Sequence, residues 1–237
     1  MAVYTKESKL SEPIFEDPSI VAVINRFGFY LGVGDRTIAE SCRINNIDVD
    51  FFLAIINTYL NPEYLPVKII ERKYLDMVAE YLEKTDLYYR DIQLPNIDRH
   101  FNLLIRNEMQ DKNGDDRLSN LSLLNKFYQE VKNDLQQSIT KELEFWLPLI
   151  RNDHEEAIRM IRIGEGEIKG VKFDLPFDHT SLEDKVRDLI SFFVVHLKGV
   201  RNHNLCMAVV SAIFILEKDI RQNNRIRNRI FRPLCEK

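Results

Sequence analysis

Residues 124–150 read LNKFYQEVKNDLQQSITKELEFWLPLI, and this stretch decides how the chain is read. Leu124, Tyr128, Val131, Leu135, Ser138, Glu142, Phe145 and Leu149 follow one another in steps of four and three, the spacing of one buried helix face. Residues 209–234, VVSAIFILEKDIRQNNRIRNRIFRPL, repeat the pattern with Val209, Ile213, Leu216, Ile220, Asn223, Arg227, Ile230 and Leu234. Both stripes are apolar, then polar at two successive positions, then apolar again, and Pro148 and Pro233 follow at matching places. Polar groups inside an apolar face cost free energy unless they find partners. Two such pairs at equal depth are therefore expected to face one another as a polar layer across a helical bundle, with Glu142 paired to Arg227.

The segments around these two helices complete the bundle. Val67 to Tyr89 reads as a long amphipathic helix with Leu75, Val78, Leu82, Thr85 and Tyr89 on one face. Leu94-Pro95 bends it or starts a new helix reaching Met109. Asp111 to Asn120 reads as a polar loop, and Asp153 to Phe177 as a mixed stretch with a short helix near Glu155 to Ile161 and a Gly-Glu-Gly turn. A third long helix runs from Asp178 to Val200, with His179, Leu182, Val186, Leu189, Phe193 and His196 on its stripe. The last runs from His203 to Arg232. Long amphipathic helices with short links predict a four-helix bundle over residues 67–237.

Ahead of the bundle lies a small helical unit, residues 1–62. Residues 1–17 read as a loose arm. Ile20, Val23, Ile24 and Phe27 mark a first helix, which Gly28, Gly32 and Gly34 interrupt. Thr37, with Glu40 three residues on, has the spacing of a capping box. Asn45-Asn46 makes a turn, and Asp48 can cap a third helix carrying Phe51, Phe52, Ile55, Ile56 and Tyr59. Asn61-Pro62 and Pro66 end the region. Phe51 and Phe52 are adjacent and cannot share one face, so one ring is exposed unless both are covered, and a docking or dimerisation module is expected here. The fold class is all-α: a small three-helix N-terminal domain followed by a four-helix bundle.

Composition narrows the functional classes. The 237 residues are 45% hydrophobic and 30% charged, with a net charge of -4, so no global basic field points to nucleic acid. Arg221, Arg225, Arg227, Arg229 and Arg232 concentrate on the last helix, where a solvated or docking face is the simpler reading. No apolar run is long enough for a membrane span. Cys42, Cys206 and Cys235 are scattered and odd in number, as expected of reduced thiols in a cytoplasm. The Gly32-x-Gly34 turn is too short for a nucleotide fingerprint, and there is neither a P-loop nor a nucleophile–base–acid set. No enzymatic activity and no cofactor are expected.

Together these patterns resemble hemerythrin-like domains, four-helix bundles that hold two irons in the core. More particularly they are similar to the iron-centre repair proteins, which join that bundle to a small N-terminal domain. In that family the second and fourth helices each carry His-x3-Glu. The matching positions here are Ser138 with Glu142, and Asn223 with Arg227. His179, in Phe177-Asp178-His179, matches an inward histidine at the start of the third helix. Asp86-Leu87, before Leu94-Pro95, stands where the first helix of the family has His-His. The N-terminal resemblance runs through Pro18, Ile24, Phe27, Gly28, Thr37 to Cys42, and Asp48 to Ile56. Where that family has Cys-Cys-Gly-Gly, this chain has Gly32-Val33-Gly34-Asp35.

The departures shape the functional expectation. Only Glu142 and His179 are retained among the ligand positions, and Arg227 carries a fixed charge that cannot ligate a metal. The resemblance therefore implies a non-enzymatic regulatory or sensor module whose di-iron site is lost. Asp86, Ser138, Glu142, His179, Asn223 and Arg227 would form a polar core layer in its place. A small molecule or anion is the ligand such a layer could take. Similar layouts exist in which a hemerythrin-like bundle precedes a LuxR-type helix-turn-helix, so DNA contact is expected only through a domain outside this chain. The alternatives are an active di-iron protein, repairing iron centres or sensing oxygen or nitric oxide, and a scaffold with no ligand.

Overall fold

The computed structural model describes residues 3–66, 71–109, 115–163, 166–168, 171–173, 179–197 and 200–236. The fold is all-α apart from a short antiparallel ladder between β1 (Gly166–Ile168) and β2 (Val171–Phe173). Two compact units form, each from separated stretches of chain. The first combines Met1–Thr85, Glu144–Asp178 and Gln222–Lys237; the second combines Asp86–Leu143 and His179–Arg221.

The first unit opens with α1 (Ser11–Glu16), α2 (Ile20–Arg26), α3 (Ile38–Ile44) and α4 (Val49–Leu60). Local chemistry sets their ends. The Thr37 side chain accepts from the Glu40 amide at 3.2 Å, and the Glu40 carboxylate accepts from the Thr37 amide at 2.9 Å, closing the capping box. Asp48 accepts from the Phe51 amide at 2.8 Å and starts α4. Gly28 ends α2 at a φ of +82°, a backbone state that costs glycine little.

Residues 3–17 are not a loose arm. The Asn57 amide clamps the backbone of Tyr4 from both sides, accepting from its N–H at 2.8 Å and donating to its carbonyl at 2.9 Å. A bridge joins Lys9 to Thr37, and Tyr4 and Leu10 are buried. Tertiary partners for the backbone, which no local pattern announces, hold this segment in place.

Phe51 and Phe52 are both buried, at 2% and 0% exposure, which removes the argument for a dimer from an exposed ring. Phe52 meets Phe27 and Phe29 edge-on, at centroid distances of 4.9 and 5.2 Å, and Phe51 stacks on Tyr74 at 6.2 Å. The unit covers α4 on two sides, so adjacent rings need not share a face. Residues 67–70 lie outside the described residues. A tight turn at Arg72–Tyr74 then leads into α5 (Leu75–Tyr88). The rest of the unit comes from α8 (Leu147–Asn152), α9 (His154–Ile163) and α12 (Arg232–Glu236), with α9 packed on α8 and α12.

The second unit is built from α6 (Leu94–Met109), α7 (Asp115–Lys141), α10 (Thr180–His196) and most of α11 (His203–Ile226). All four feed one apolar core, including Ile97, Phe101, Leu124, Tyr128, Leu135, Val186, Leu189, Ile213 and Leu216. The polar loop expected from Asp111 is shorter than its composition suggests, because α7 has begun by Asp115. His196, placed on the buried stripe of α10, is exposed beside Phe192, since α10 ends there and Leu197 turns extended.

Among the described residues three wide (π) turns interrupt otherwise continuous helices, at Tyr89–Gln93, Glu142–Trp146 and Arg227–Phe231. Each ends two residues before a proline: Pro95, Pro148 and Pro233. Proline lacks an N–H and its ring crowds the carbonyl four residues back, and a wider turn relieves both problems without ending the helix. The extra residue rotates the next stretch of helix by about 100°. Hence Trp146 and Ile150 are buried in place of Phe145 and Leu149, the residues the unbroken stripe selects.

Candidate functional site

Glu142, Ser138, His179 and Asp86 belong to the second unit; Asn223 and Arg227 belong to the first. Each set has its own geometry.

In the second unit, Ser138 lies one helical turn before Glu142, which opens the π turn, and His179 stands at the position just before α10, its side chain making no cap bond to the helix. His179 Nε2 stands 2.7 Å from Glu142 Oε1 and 3.0 Å from Ser138 Oγ. Ser138 Oγ also donates to Glu142 Oε1 at 3.3 Å. With an ionised carboxylate, which only accepts, Nε2 must carry the ring proton. That proton is then shared between Glu142 and Ser138, while the serine hydroxyl points at the carboxylate. The exposures of His179 and Glu142 are 0% and 2%, so these two are closed off from solvent, with Ser138 half-buried beside them. Asp86 is also fully buried.

This arrangement is not that of a nucleophilic triad. A relay needs one ring nitrogen on the hydroxyl and the other on the carboxylate. Here the same nitrogen serves both. The trio can fix the start of α10 against α7, and its charge-assisted bond is of the stronger kind.

In the first unit, Asn223 is fully buried and its side-chain oxygen accepts from Tyr81 Oη at 2.8 Å and from Arg26 Nη1 at 3.5 Å. Arg26 Nη1 also reaches Tyr81 Oη at 3.3 Å, and the guanidinium carbon lies 5.9 Å from the centroid of that ring. Arg227 is buried at 1% exposure, one helical turn beyond Asn223. Arg26 and Tyr81 were not anticipated. Arg26 follows Ile20, Val23 and Ile24 at a position where a short amphipathic helix can equally present a solvated cation, and Tyr81 adjoins the stripe residue Leu82. Only the depth of α2 in the folded unit distinguishes the two readings.

Arg225 and Arg229 of the last helix are docking groups, whereas exposed Arg221 pairs with Glu217 on its own helix at 3.6 Å. Arg225 donates to the Thr58 carbonyl at 3.4 Å and Arg229 to the Tyr64 carbonyl at 2.9 Å, so both engage the backbone at or just beyond the end of α4. Cys42 and Cys235 are buried, and burial, with Asp48 nearby, pushes the Cys42 thiol up to about 12.

Comparison of the chain with protein-family models, with curated proteins and with solved structures gives no match. The donor chemistry also does not fit a di-iron centre. Among the described residues no group of three or more His, Cys, Asp or Glu could hold a metal ion. The positions marked by the family resemblance hold a serine hydroxyl, an asparagine amide and a guanidinium, while the retained His179 and Glu142 bond to one another.

Proposed function

We propose that this chain is a non-enzymatic regulatory or sensor module, a hemerythrin-like bundle in which a polar core has replaced the irons. The observation that carries the reading is the Ser138–His179–Glu142 trio, whose members all stand at positions where the family ligates metal and of which His179 and Glu142 keep the ligand residue. A buried pair that is hydrogen-bonded in this way holds one packing arrangement, and a signal that breaks the pair shifts the core toward another. The burial of His179 and Glu142 argues against a substrate reaching those two groups. In this reading the protein works in the cytoplasm, its thiols are reduced, and its signal passes to another domain or protein, through which any DNA contact would be made. Among the described residues no helix is long and apolar enough to cross a membrane.

Metal analysis of protein purified with and without oxygen tests the proposal. The expected result is iron far below one equivalent per chain in both preparations. Two irons per chain would overturn it in favour of a di-iron protein acting in iron-centre repair or gas sensing.

A further inference from the structure

Tyr30 and Leu31, in the first unit, are exposed at 81% and 70%, although the chain on either side of them is fastened. Before them, Phe29 is buried against Phe52, and its N–H donates to the Ile24 carbonyl at 3.2 Å. After them, Asp35 pairs with Lys9 at 2.7 Å, Leu10 donates to the Arg36 carbonyl at 3.1 Å, and Thr37 bridges to Lys9. Gly32 turns the chain at a φ of +94°, where an added Cβ would touch nothing, so the glycine serves the turn and not a crowded site. A short loop held at both ends presents two adjacent apolar side chains, and little further ordering is needed when they bind.

A cleft of about 240 Å³ lies within the same unit, lined by residues of α2, α4, α5 and the Asn45–Asp48 turn. Phe51 and Tyr81 are buried in it, Phe27, Ile47 and Met77 are half-buried, and Asn46 lies at the exposed rim. Phe27 is 5.6 Å from Tyr81 and 5.8 Å from Phe51, centroid to centroid, so much of the wall is aromatic. The charged groups of the lining are engaged by the chain itself: Arg26 with Tyr81 and Asn223, Asp48 with the Phe51 amide, Glu80 with Lys84. The matching occupant is therefore uncharged, and a volume below the range of drug-sized pockets suits one large side chain. Tyr30 has the required chemistry, a ring for the aromatic wall and a hydroxyl for the Asn46 rim. Phe15, though 85% exposed, has no polar end to meet that rim. Phe27 precedes Tyr30 by three residues, so loop and cleft are within about 10 Å of chain of each other, and the exposure of Tyr30 places it outside its own cleft. Two copies related by a twofold axis can then each supply the side chain and each supply the cleft, one surface serving both. We propose that this surface is a homodimer contact, in which Tyr30 of each copy enters the cleft of the other between Phe27, Ile47 and Met77, and Leu31 packs at its mouth. The contact goes beyond the sensor reading and does not depend on it.

Two side chains from each copy make a small interface, so the dimer is weak, with a Kd between about 1 µM and 1 mM. Sedimentation velocity of the full chain across that range should show a reversible monomer–dimer equilibrium. Tyr30→Ser, a change at an exposed position that leaves the fold intact by circular dichroism, should weaken it at least about tenfold. Phe15→Ser, equally exposed, should leave it unchanged. Photo-crosslinking with p-benzoylphenylalanine in place of Tyr30, in a mixture of isotope-labelled and unlabelled chains, should join position 30 of one copy to the peptides carrying Ile47 or Met77 of the other. A chain that stays monomeric up to about 1 mM overturns the proposal. So does a Tyr30→Ser variant that dimerises normally, or an intermolecular crosslink that falls outside the cleft.

Discussion

Replacing Glu142 by alanine should destabilise the protein far more than a surface change. The carboxylate loses a 2.7 Å charge-assisted bond to His179 and a 3.3 Å bond from Ser138. The first is worth about 1.5–3 kcal/mol and the second about 0.5–1.5 kcal/mol. The truncation also leaves a ring N–H and a hydroxyl facing a small void, so the total should reach the roughly 3–5 kcal/mol typical of a broken buried pair. For a chain of this size that lowers the melting temperature by about 6–20 °C. Urea unfolding followed by circular dichroism measures it, with Glu144→Ala as control, because Glu144 lies in the same π turn but is exposed. Glu142→Gln keeps the shape and should cost less, since its amide oxygen still accepts from Nε2. A paired replacement of Glu142 and His179 by apolar residues should be milder than either single truncation. If Glu142→Ala moves the midpoint no further than Glu144→Ala, the trio does not hold the second unit together and the reasoning fails.

Thr37→Ala removes the capping box of α3 and should cost about 1 kcal/mol in the same assay. Glu40, held below its ordinary value of 4.5 by bonds to the Thr37 backbone and side chain, stabilises the fold at pH above that value; its contribution should fade as pH drops through the lower folded value, and a Thr37→Ala variant should lose part of this acid sensitivity. Ellman's reagent on native protein should label half-buried Cys206 first and leave buried Cys42 and Cys235 unreacted until denaturant is added, as peptide mapping would check. The pairing of Glu142 with Arg227 anticipated from the sequence remains our proposal: a double-mutant cycle should give a coupling of at least about 1 kcal/mol, and a coupling near zero would reject it.

What the sequence announced was what local chemistry decides. Thr37 with Glu40, Asp48 before Phe51, and glycine after Phe27 specify caps within a few residues, and each is found where expected. The apolar stripes were legible for the same reason. Long-range satisfaction was not. The Asn57 clamp on Tyr4 spans 53 residues of sequence, and the contact between Arg26 and Asn223 spans 197. Neither Asn57 nor Arg26 carries a signature that separates it from a solvated neighbour. Of the candidate site, Ser138, Glu142 and His179 come together as a set, because a four-residue step on one helix aims two of them alike and a helix start delivers the third.

The prolines were visible, and their consequence was not drawn from spacing alone. Counting six residues back from Pro95, Pro148 and Pro233 reaches Tyr89, Glu142 and Arg227, the first residues of the three π turns. All three are buried. The repeat between the two stripes is therefore in part a repeat of a backbone solution: a proline, a widened turn, and a side chain held inward where the turn opens. Tyr89 separates this solution from its chemistry. A neutral aromatic residue fills the same position in the first copy, so the widened turn by itself does not call for a charge. The carboxylate at 142 and the guanidinium at 227 must be explained by what they bond. For Glu142 that partner is His179, and the charge belongs to the core's chemistry rather than to the helix.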